Sequence, residues 1–450
     1  TRYISHEDPY VQMGVQMVQN LAAKAQDSSG DGTTTACIIA QALCNGIMEL
    51  DSTLNFHNLR NEFENLQEAI LDTLNAYAEV IEDSNILNVA TIAANNDYYL
   101  GGLIQEAINK VGREGIVTVE ESKTHETELI VRDGLKLDEG YLSHLMVNGE
   151  DGKATLENPL VFMSNLPIRN FQDIHPMLDI AIAKRQPLLI ICKGMDGSAL
   201  QNLLMNLLNK TVECTVILAP NFGDAQLDEL NDVASLIGGK VFNNESKDDP
   251  KLVAYDEFGQ CDRIVISKES TVILGGSGDT SELVSSLRAV AEDMKGHDKA
   301  RIKSRIARLN GGVATIRIGA GSQLEMREKK ERLDDALNAT KAALAEGICV
   351  GGGLTLWNIS QTLPTGTVND IVIKALQAPL NALVTNSGHV LLHDTVNANT
   401  GFNALTGMYC NLRDEGVFDP VKVTKNSFIA AMSIASLFLT TEVAVLLPEE

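Results

Sequence analysis

The sequence SGDGTTTA occupies residues 29–36, between two segments whose apolar residues recur at helical spacing. Glycines on both sides of Asp31 allow the backbone to approach a phosphate closely, and a following helix offers free N–H groups and three threonine hydroxyls. The Asp31 carboxylate suits Mg²⁺, a hard cation that prefers oxygen ligands. These residues predict a phosphate-binding loop without a lysine, although a plain helix N-cap favours the same residue types. The Walker motif G-x-x-x-x-G-K-[ST] is absent.

Helical periodicity extends outward from this loop and returns at the other end of the chain. Segments 11–25, 33–49 and 54–80 place apolar residues at intervals of three and four, which predicts amphipathic helices. Residues 427–441 are uncharged and largely apolar, but this stretch is too short to cross about 30 Å of hydrocarbon. It predicts a buried helix, followed by a strand at 443–447.

The middle of the chain alternates buried strands with helices. Continuous apolar runs at 187–192 and 215–220 are followed by helical patterns at 197–209 and 225–237, which indicates a largely parallel sheet. Further strands are predicted at 115–121, 263–266, 271–274 and 313–318, and further helices at 279–293, 325–345 and 354–360. The predicted fold class is multidomain α and α/β, in which both ends form one mostly helical discontinuous domain around an inserted α/β region.

Composition narrows the range of partners. The 450 residues suggest two to four domains, and 36 Lys and Arg against 60 Asp and Glu give a net charge of −24. Such an acidic surface repels phosphate backbones and anionic lipids, so we expect no nucleic-acid or membrane partner. Seven scattered cysteines without C-x-x-C spacing indicate buried thiols in a reducing compartment, no zinc site and a cytoplasmic location.

Two further clusters are candidate site residues. Gly351, Gly352 and Gly353 precede a helical run, where a glycine run is most often a simple loop. Asp334 and Asp335 lie in the long amphipathic pattern, and successive helix positions point about 100° apart, so only one of them can face a given site. A solvated helix face is the simpler explanation of this pair.

The last third of the chain carries residues that would suit a nucleoside. Asn403 and Ala404 lie in a loop rich in glycine and asparagine, and Val417 and Asp419 flank Phe418 before a helix. An apolar residue beside a carboxylate can receive a base and a ribose. Turn and cap chemistry explains these residue types equally well.

Several segments, taken in order, resemble the group I chaperonin family, the GroEL type. They include GDGTTTA, EGIVTVEES, DEGYLSHLMVN, PLLII, APNFGD, NGGVATIRIGA, EMREKKERLDDALNATKAALAEGICVGGG and FDPVKVTKNSF, and they span nearly the whole chain. The resemblance implies an equatorial ATP-binding domain at 1–79 and 348–450, an intermediate domain at 80–133 and 313–347, and an apical domain at 134–312. It implies hinges at Gly134, Gly311, Gly312 and Gly347.

The resemblance also implies the cofactors and the nucleotide site. The cofactors would be ATP and Mg²⁺, with K⁺ as a further candidate, and Asp31 would hold the metal. Cofactor-binding residues would be Gly30, Asp31, Gly32, Thr33, Thr34 and Thr35 at the phosphates, Gly352 and Asp419 at the ribose, Asn403, Ala404 and Val417 at the base, and Gly351 beside them. Asp335, preferred to Asp334, would orient the attacking water as the catalytic carboxylate.

A client-binding groove in the apical domain is implied as well. Its residues would be Tyr141, Leu145, Met146, Leu178, Leu200, Leu204 and Met205. Leu200, Leu204 and Met205 stand at i, i+4 and i+5 on one helix stripe, which ordinary core packing would also produce. The implied partners are non-native client proteins, a co-chaperonin lid on the same groove, and identical subunits in a homo-oligomeric, heptameric ring.

The predicted function is therefore an ATP-dependent chaperonin that captures non-native proteins and encloses them for folding. The alternative is a nucleotide-binding ring or scaffold subunit with little or no ATP turnover. The family's N-terminal segment, which carries a hydrolytic carboxylate, has no counterpart here, and Ala93 replaces a hydroxyl near the nucleotide. We expect the chain to be part of a longer one, because it begins without Met.

Overall fold

The computed structural model describes residues 4–441 except 51–55, 114, 123, 150–151, 244–248, 277, 295–300, 304, 307 and 310. The helices are α1 (Pro9–Ser29), α2 (Thr33–Met48), α3 (Phe56–Ala76), α4 (Asp83–Ala93), α5 (Tyr98–Val111), α6 (Phe171–Lys184), α7 (Gly197–Leu208), α8 (Asp224–Ile237), α9 (Ser281–Asp293), α10 (Gln323–Glu346), α11 (Leu354–Ser360), α12 (Thr367–Asn386) and α13 (Val421–Thr440).

The strands are short and lie mostly in the middle of the chain. They are β1 (Ile116–Glu121), β2 (Glu128–Arg132), β3 (Gly134–Leu137), β4 (Ala154–Glu157), β5 (Leu160–Ser164), β6 (Pro167–Ile168), β7 (Leu188–Cys192), β8 (Gly194–Met195), β9 (Cys214–Leu218), β10 (Val241–Phe242), β11 (Gly259–Gln260), β12 (Arg263–Ile266), β13 (Thr271–Leu274), β14 (Val313–Ile318), β15 (Ile348–Val350), β16 (Thr400–Asn403), β17 (Met408–Asn411) and β18 (Phe418–Pro420).

The chain divides into two compact units. The first comprises Thr1–Glu106, Glu121–Thr127 and Ile318–Glu450, and the second comprises Ala107–Glu120 and Glu128–Arg317. Both ends of the chain therefore belong to the first unit. The division into equatorial, intermediate and apical domains, with its boundaries, stays a prediction.

The first unit has a helical core to which both ends contribute. Leu21 of α1, Leu43 of α2, Leu376 of α12 and Phe428 of α13 belong to one cluster and are each at most 1% exposed. The apolar spacing that predicted α1, α2 and α3 thus marks the faces that enter this core.

The last helix of the described chain, α13, is long and apolar enough to cross a membrane by length and composition alone. Half of its apolar window is buried inside the protein, and it packs on α1, α2 and α3. This agrees with the buried helix expected at 427–441. The strand predicted at 443–447 lies outside the described residues.

The second unit is built on a parallel sheet, as the alternation of strands and helices predicted. β5, β7 and β9 are parallel neighbours, with Leu160 paired to Leu188 and Leu188 paired to Cys214. Every residue of β7 is buried, so both faces of this strand require apolar side chains. A four-stranded antiparallel sheet, in the order β3-β13-β12-β4, shares a core cluster with the parallel sheet and α8.

Phe428→Ala should destabilise the first unit, because this side chain is fully buried among α2, α3 and α13. We expect the free energy of unfolding to fall by about 3–5 kcal/mol, measured by chemical denaturation. Phe438→Ala is the matched control on the same helix, since Phe438 is 37% exposed and should cost about 1 kcal/mol or less. Equal losses in the two variants would contradict the assigned core.

Candidate functional site

The loop at residues 29–32 joins α1 to α2 through two glycines. Gly30 and Gly32 have φ angles of 71° and 86°, in the left-handed region that favours glycine. α2 begins at Thr33 with Gly32 as its N-cap, and no side chain caps its first turn. Asp31 is therefore not the N-cap residue, and the first N–H groups of α2 are available to a ligand.

Close packing also requires both glycines. A Cβ atom at Gly30 would lie 2.3 Å from Cβ of Asn338, and one at Gly32 would lie 2.3 Å from Oγ of Ser427. The Ser427 hydroxyl donates a hydrogen bond of 3.0 Å to the carbonyl oxygen of Gly32. The loop that carries Asp31 is thus held between α10 and α13.

A cavity of about 440 Å³ opens beside this loop, a size typical of small-molecule sites. Of the residues predicted to bind nucleotide, it is lined by Asp31, Gly32, Thr34, Thr35, Gly352, Asn403, Ala404, Val417 and Asp419. Three others, Gly30, Thr33 and Gly351, are sequence neighbours of these residues but are not among the lining residues. The fold therefore brings together three distant segments that the sequence singled out separately.

The second glycine cluster makes room for Asp419. Gly352 and Gly353 have φ angles of 65° and 76°, and α11 follows directly. A Cβ atom at Gly351 would lie 2.8 Å from Oδ1 of Asp419. β15 pairs with β18 so that Cys349 stands opposite Asp419, and any larger residue at 351 would displace the carboxylate.

Carboxylates approach one another around the Asp31 loop. Burial raises the pKa of Asp419 to about 6, and the charge of Asp31 adds to the increase. Burial also raises the pKa of Asp31, which the hydrogen bond from the Gly32 N–H lowers and the charge of Asp335 raises. The site therefore disfavours additional negative charge unless a cation accompanies it.

The donor set of the cavity fits a hard cation bound together with phosphate oxygens. The described residues that line the cavity include Asp31 and Asp419 but no Lys, Arg or His. Mg²⁺ typically binds through one or two carboxylates plus substrate phosphates and keeps several waters. Asp31 is the lining carboxylate nearest to the free N–H groups of α2, so it is the residue that suits this role.

Asp335 lies on α10 beside the phosphate loop, outside the lining of the cavity. Nε2 of Gln26 donates a hydrogen bond of 3.2 Å to Oδ1 of Asp335. Burial raises the pKa of Asp335, this hydrogen bond lowers it, and the charge of Glu331 raises it. The charge of Asp335 acts on Asp31, whereas the preference for Asp335 over Asp334 and the hydrolytic role of either residue stay predictions.

The side chain of Asn403 is engaged within its own hairpin. Its Oδ1 accepts hydrogen bonds from the N–H groups of Leu405 at 3.0 Å and Thr406 at 3.3 Å. Its carbonyl oxygen accepts another from the N–H of Gly407 at 2.8 Å. Asn403 therefore shapes the loop that presents Ala404 and Leu405 to the cavity, and its side-chain oxygen is already occupied.

Sequence reasoning missed one wall of the cavity and one polar contact. Pro379, Ala382, Leu383 and Asn386 of α12 line the cavity at helical spacing, which ordinary core packing produces as well. Gln26 contacts Asp335 across 309 positions of sequence. No local pattern distinguishes such a glutamine, so only a contact in space reveals it.

The residues predicted to bind clients are unequally exposed. Leu145 and Met205 are 51% and 57% exposed. Met146 and Leu178 are 4% and 5% exposed and belong to the core of the second unit, so they cannot contact a client in this conformation. Tyr141, Leu200 and Leu204 are half-buried.

The predicted hinge glycines stand where the backbone of another segment passes closely. Gly347 ends α10 with a φ of 83°, and a Cβ atom there would lie 2.4 Å from the carbonyl oxygen of Glu79. A Cβ atom at Gly134 would lie 2.6 Å from the carbonyl oxygen of Ile273. Gly311 is buried and Gly312 half-buried, and bending at any of these glycines stays a prediction.

Among solved structures, the chain matches the chaperonin gp146 from the bacteriophage EL 2 (Pseudomonas aeruginosa), crystallised in the presence of ATP-BeFx. The TM-score is 0.72 at 18% sequence identity, and the match covers 100% of this chain and 90% of that chain. At this identity the likeness establishes the fold alone. The chain thus has a chaperonin fold.

The family follows from the sequence as a whole. The model of the TCP-1/cpn60 chaperonin family matches residues 2–446. The chain therefore belongs to the TCP-1/cpn60 chaperonin family. This confirms the resemblance at the level of the family.

Asp419→Asn should stabilise the protein without nucleotide at neutral pH. Folded Asp419 keeps its proton up to about pH 6, whereas the ordinary carboxyl pKa is 3.8, so stability falls as the pH rises through this window and stays lowered above it. Asparagine has no proton to lose in this range, so the variant does not lose this stability as the pH rises. We expect a rise in Tm of about 2–5 °C at pH 7 and almost none at pH 4, followed by circular dichroism.

Asp27→Asn, at an exposed carboxylate on α1, is the control for this experiment. It should leave Tm nearly unchanged across the same pH range. A gain in Asp419→Asn that does not depend on pH would show that the effect is not electrostatic.

Proposed function

We propose that this chain is an ATP-dependent chaperonin subunit of the group I type. It captures non-native proteins on apolar surface of its second unit and encloses them in a ring cavity for folding, driven by binding and hydrolysis of Mg-ATP. The observation that carries the proposal is the acidic cavity at the uncapped start of α2. Membership of the chaperonin family supports the chaperone role.

In this proposal the cavity holds the nucleotide along its length. The phosphates lie at the first turn of α2, where Thr34 and Thr35 line the cavity, because free helix N–H groups attract anions. The ribose lies near Gly352 and Asp419. The base lies against Val417 and the hairpin loop after β16, where the apolar side chains of Val417 and Leu405 line the cavity.

Asp31 would hold Mg²⁺ in the same proposal. When bound, the metal supplies charge neutralisation for the phosphate oxygens, a role that no Lys or Arg among the described lining residues fills. The Asp31 backbone is oriented by its own neighbours, since Oγ of Ser29 donates a hydrogen bond of 3.1 Å to the Asp31 carbonyl oxygen. K⁺ stays an expectation from the family resemblance.

Asp335 would orient the water that attacks the terminal phosphate. A carboxylate can accept a hydrogen bond from water and align it with the phosphorus atom, as in other phosphoryl-transfer enzymes. Asp335 is half-buried on α10 and close enough to Asp31 to alter its pKa. It does not line the cavity, so a movement of α10 toward the nucleotide would gate the reaction.

Asp335→Ala should separate binding from hydrolysis. We expect Mg-ATP to bind within about 3-fold of the wild-type affinity, because this residue is outside the cavity lining, and kcat to fall by about 100-fold or more. Steady-state ATP hydrolysis with and without Mg²⁺ gives the rates. Binding is followed by the fluorescence of Trp357, the only tryptophan, which packs in one cluster with the cavity residue Phe402.

Normal turnover in Asp335→Ala would remove the assigned role. A wild-type chain that binds Mg-ATP without hydrolysing it would instead favour the alternative, a nucleotide-binding ring or scaffold subunit.

Client capture would use exposed apolar side chains on α6, α7 and the turn at His144–Met146. Ile182, Met205 and Leu208 are 50%, 57% and 59% exposed, and Leu145 is 51% exposed. α6 packs on α7, and α7 packs on the turn that carries Leu145, so these side chains belong to one connected set of elements. Methionine suits varied clients because its thioether adapts to many shapes.

Met205→Glu should weaken client capture, because a carboxylate on this surface must be desolvated when an apolar segment binds. We expect the full chain to need about 10-fold more protein to suppress aggregation of a chemically unfolded test protein, measured by light scattering. Val390→Glu is the matched control, at an apolar residue of the first unit that is 81% exposed. Equal losses in both variants would show that capture does not use α7.

Assembly and location complete the proposal. The resemblance to group I chaperonins implies homo-oligomeric, heptameric rings, a co-chaperonin lid that competes for the client surface, and a cytoplasmic location. The net charge of −24 suits a polar chamber wall that repels acidic clients.

A further inference from the structure

One side-chain amide connects the phosphate loop to the candidate hydrolytic carboxylate. Nε2 of Gln26 donates a hydrogen bond of 2.9 Å to the carbonyl oxygen of Gly30 and another of 3.2 Å to Oδ1 of Asp335. A glutamine amide has two N–H donors on one rigid plane. The positions of these two acceptors are therefore linked through a single group.

The Gly30 end of this bridge is tightly held. The N–H of Gly30 donates a hydrogen bond of 2.7 Å to the carbonyl oxygen of Gln26, so the backbone of Gln26 and its side chain both contact the same glycine. Gly30 has a φ of 71°, which most other residues would strain to adopt. Gln26 itself is half-buried on the last turns of α1.

The α10 end is held by a second contact one turn further along the helix. A Cβ atom at Gly30 would lie 2.3 Å from Cβ of Asn338, and Asn338 follows Asp335 by three residues on α10. Residues three apart on a helix share a face. The bridge from Gln26 to Asp335 and the contact of Gly30 with Asn338 therefore dock this face of α10 on the end of α1.

The donor to Asp335 is a neutral amide, and its lack of charge affects how well the carboxylate can accept a hydrogen bond from water. Within the described residues, the Gln26 amide is the hydrogen-bond donor that contacts the Asp335 carboxylate. A neutral donor orients a carboxylate and stabilises its charge without neutralising it, whereas Lys or Arg would form an ion pair and weaken it as an acceptor for water. In the part of the chain that the structure describes, this amide donates to Oδ1 of Asp335, which leaves Oδ2 to accept a hydrogen bond from water.

We propose that Gln26 is a positioning residue for ATP hydrolysis, which holds one oxygen of Asp335 so that the other can orient the attacking water. The same amide also donates to the Gly30 carbonyl oxygen, so the orientation of Asp335 depends on the loop that carries Asp31. This inference rests on the proposed ATPase function. Gln26 touches neither the cavity nor, in this proposal, the nucleotide.

Gln26→Met tests the proposal, because methionine keeps the length of the side chain and removes both donors. We expect the single-turnover rate of ATP hydrolysis by the full chain to fall about 10-fold, as for loss of one hydrogen bond to a charged group. The Kd for Mg-ATP, from the fluorescence of Trp357, should stay within about 2-fold. Gln16→Met, at an exposed glutamine of the same helix, is the matched control and should hydrolyse ATP at the wild-type rate.

A double-mutant cycle separates positioning from general packing. In the Asp335→Asn background the carboxylate is absent, so Gln26→Met should slow hydrolysis no further. An unchanged rate in Gln26→Met alone would overturn the inference. So would an equal slowing in both backgrounds, because Gln26 would then act independently of Asp335.

Gln26→Leu provides a second variant of similar volume without donors, in case methionine perturbs folding. Retained Mg-ATP binding demonstrates that either variant is folded. A wild-type chain without ATP turnover would overturn the proposed function and this inference together, whereas normal wild-type turnover with an insensitive Gln26 would overturn this inference alone.

Discussion

The burial of carboxylates around one cavity is the constraint on which the rest of the first unit depends. Asp31 and Asp419 line one cavity, and Asp335 stands beside it, while the described lining residues include no cationic side chain. Burial raises the pKa of each carboxyl group, and a neighbouring charge adds to the increase: that of Asp31 at Asp419, that of Asp335 at Asp31 and that of Glu331 at Asp335. Without a ligand, these carboxylates lower the free energy of unfolding. Binding of a cation together with an anion raises it, so the site favours a ligand that supplies both.

Glycines and neutral donors make this arrangement sterically and electrostatically feasible. Gly30 and Gly32 let α10 and α13 approach the loop, and Gly351 leaves space for the Asp419 carboxylate. Gln26 stabilises Asp335 without cancelling its charge. A larger residue at one of these glycines would clash with α10, α13 or Asp419, and a cation at position 26 would neutralise Asp335.

The second unit follows a different principle, because its proposed task depends on apolar surface left outside a complete core. The parallel strands bury every residue of β7, which provides a rigid support. Met205 and Leu208 then stay exposed on α7, although Leu203 of the same helix is fully buried. A surface that binds unfolded chains requires apolar side chains that the core does not cover.

The sequence by itself determined the elements and the position of the glycine loop around Asp31. Helical spacing located α1, α2, α10 and α11, and apolar runs located β7 and β9, because local periodicity reflects which face of an element is buried. Glycines around Asp31 indicated a left-handed turn for the same local reason. Whole-chain motifs indicated the chaperonin family, which the family match confirms.

Only the tertiary structure decided which distant residues meet. It placed Gln26 against Asp335, turned the Asn403 side chain into its own hairpin, and buried Met146 and Leu178 while leaving Leu145 exposed. A row of apolar residues at helical spacing can pack in a core, line a cavity or face solvent. The outcome depends on what the fold packs against that stripe, and contacts across hundreds of residues leave no local pattern.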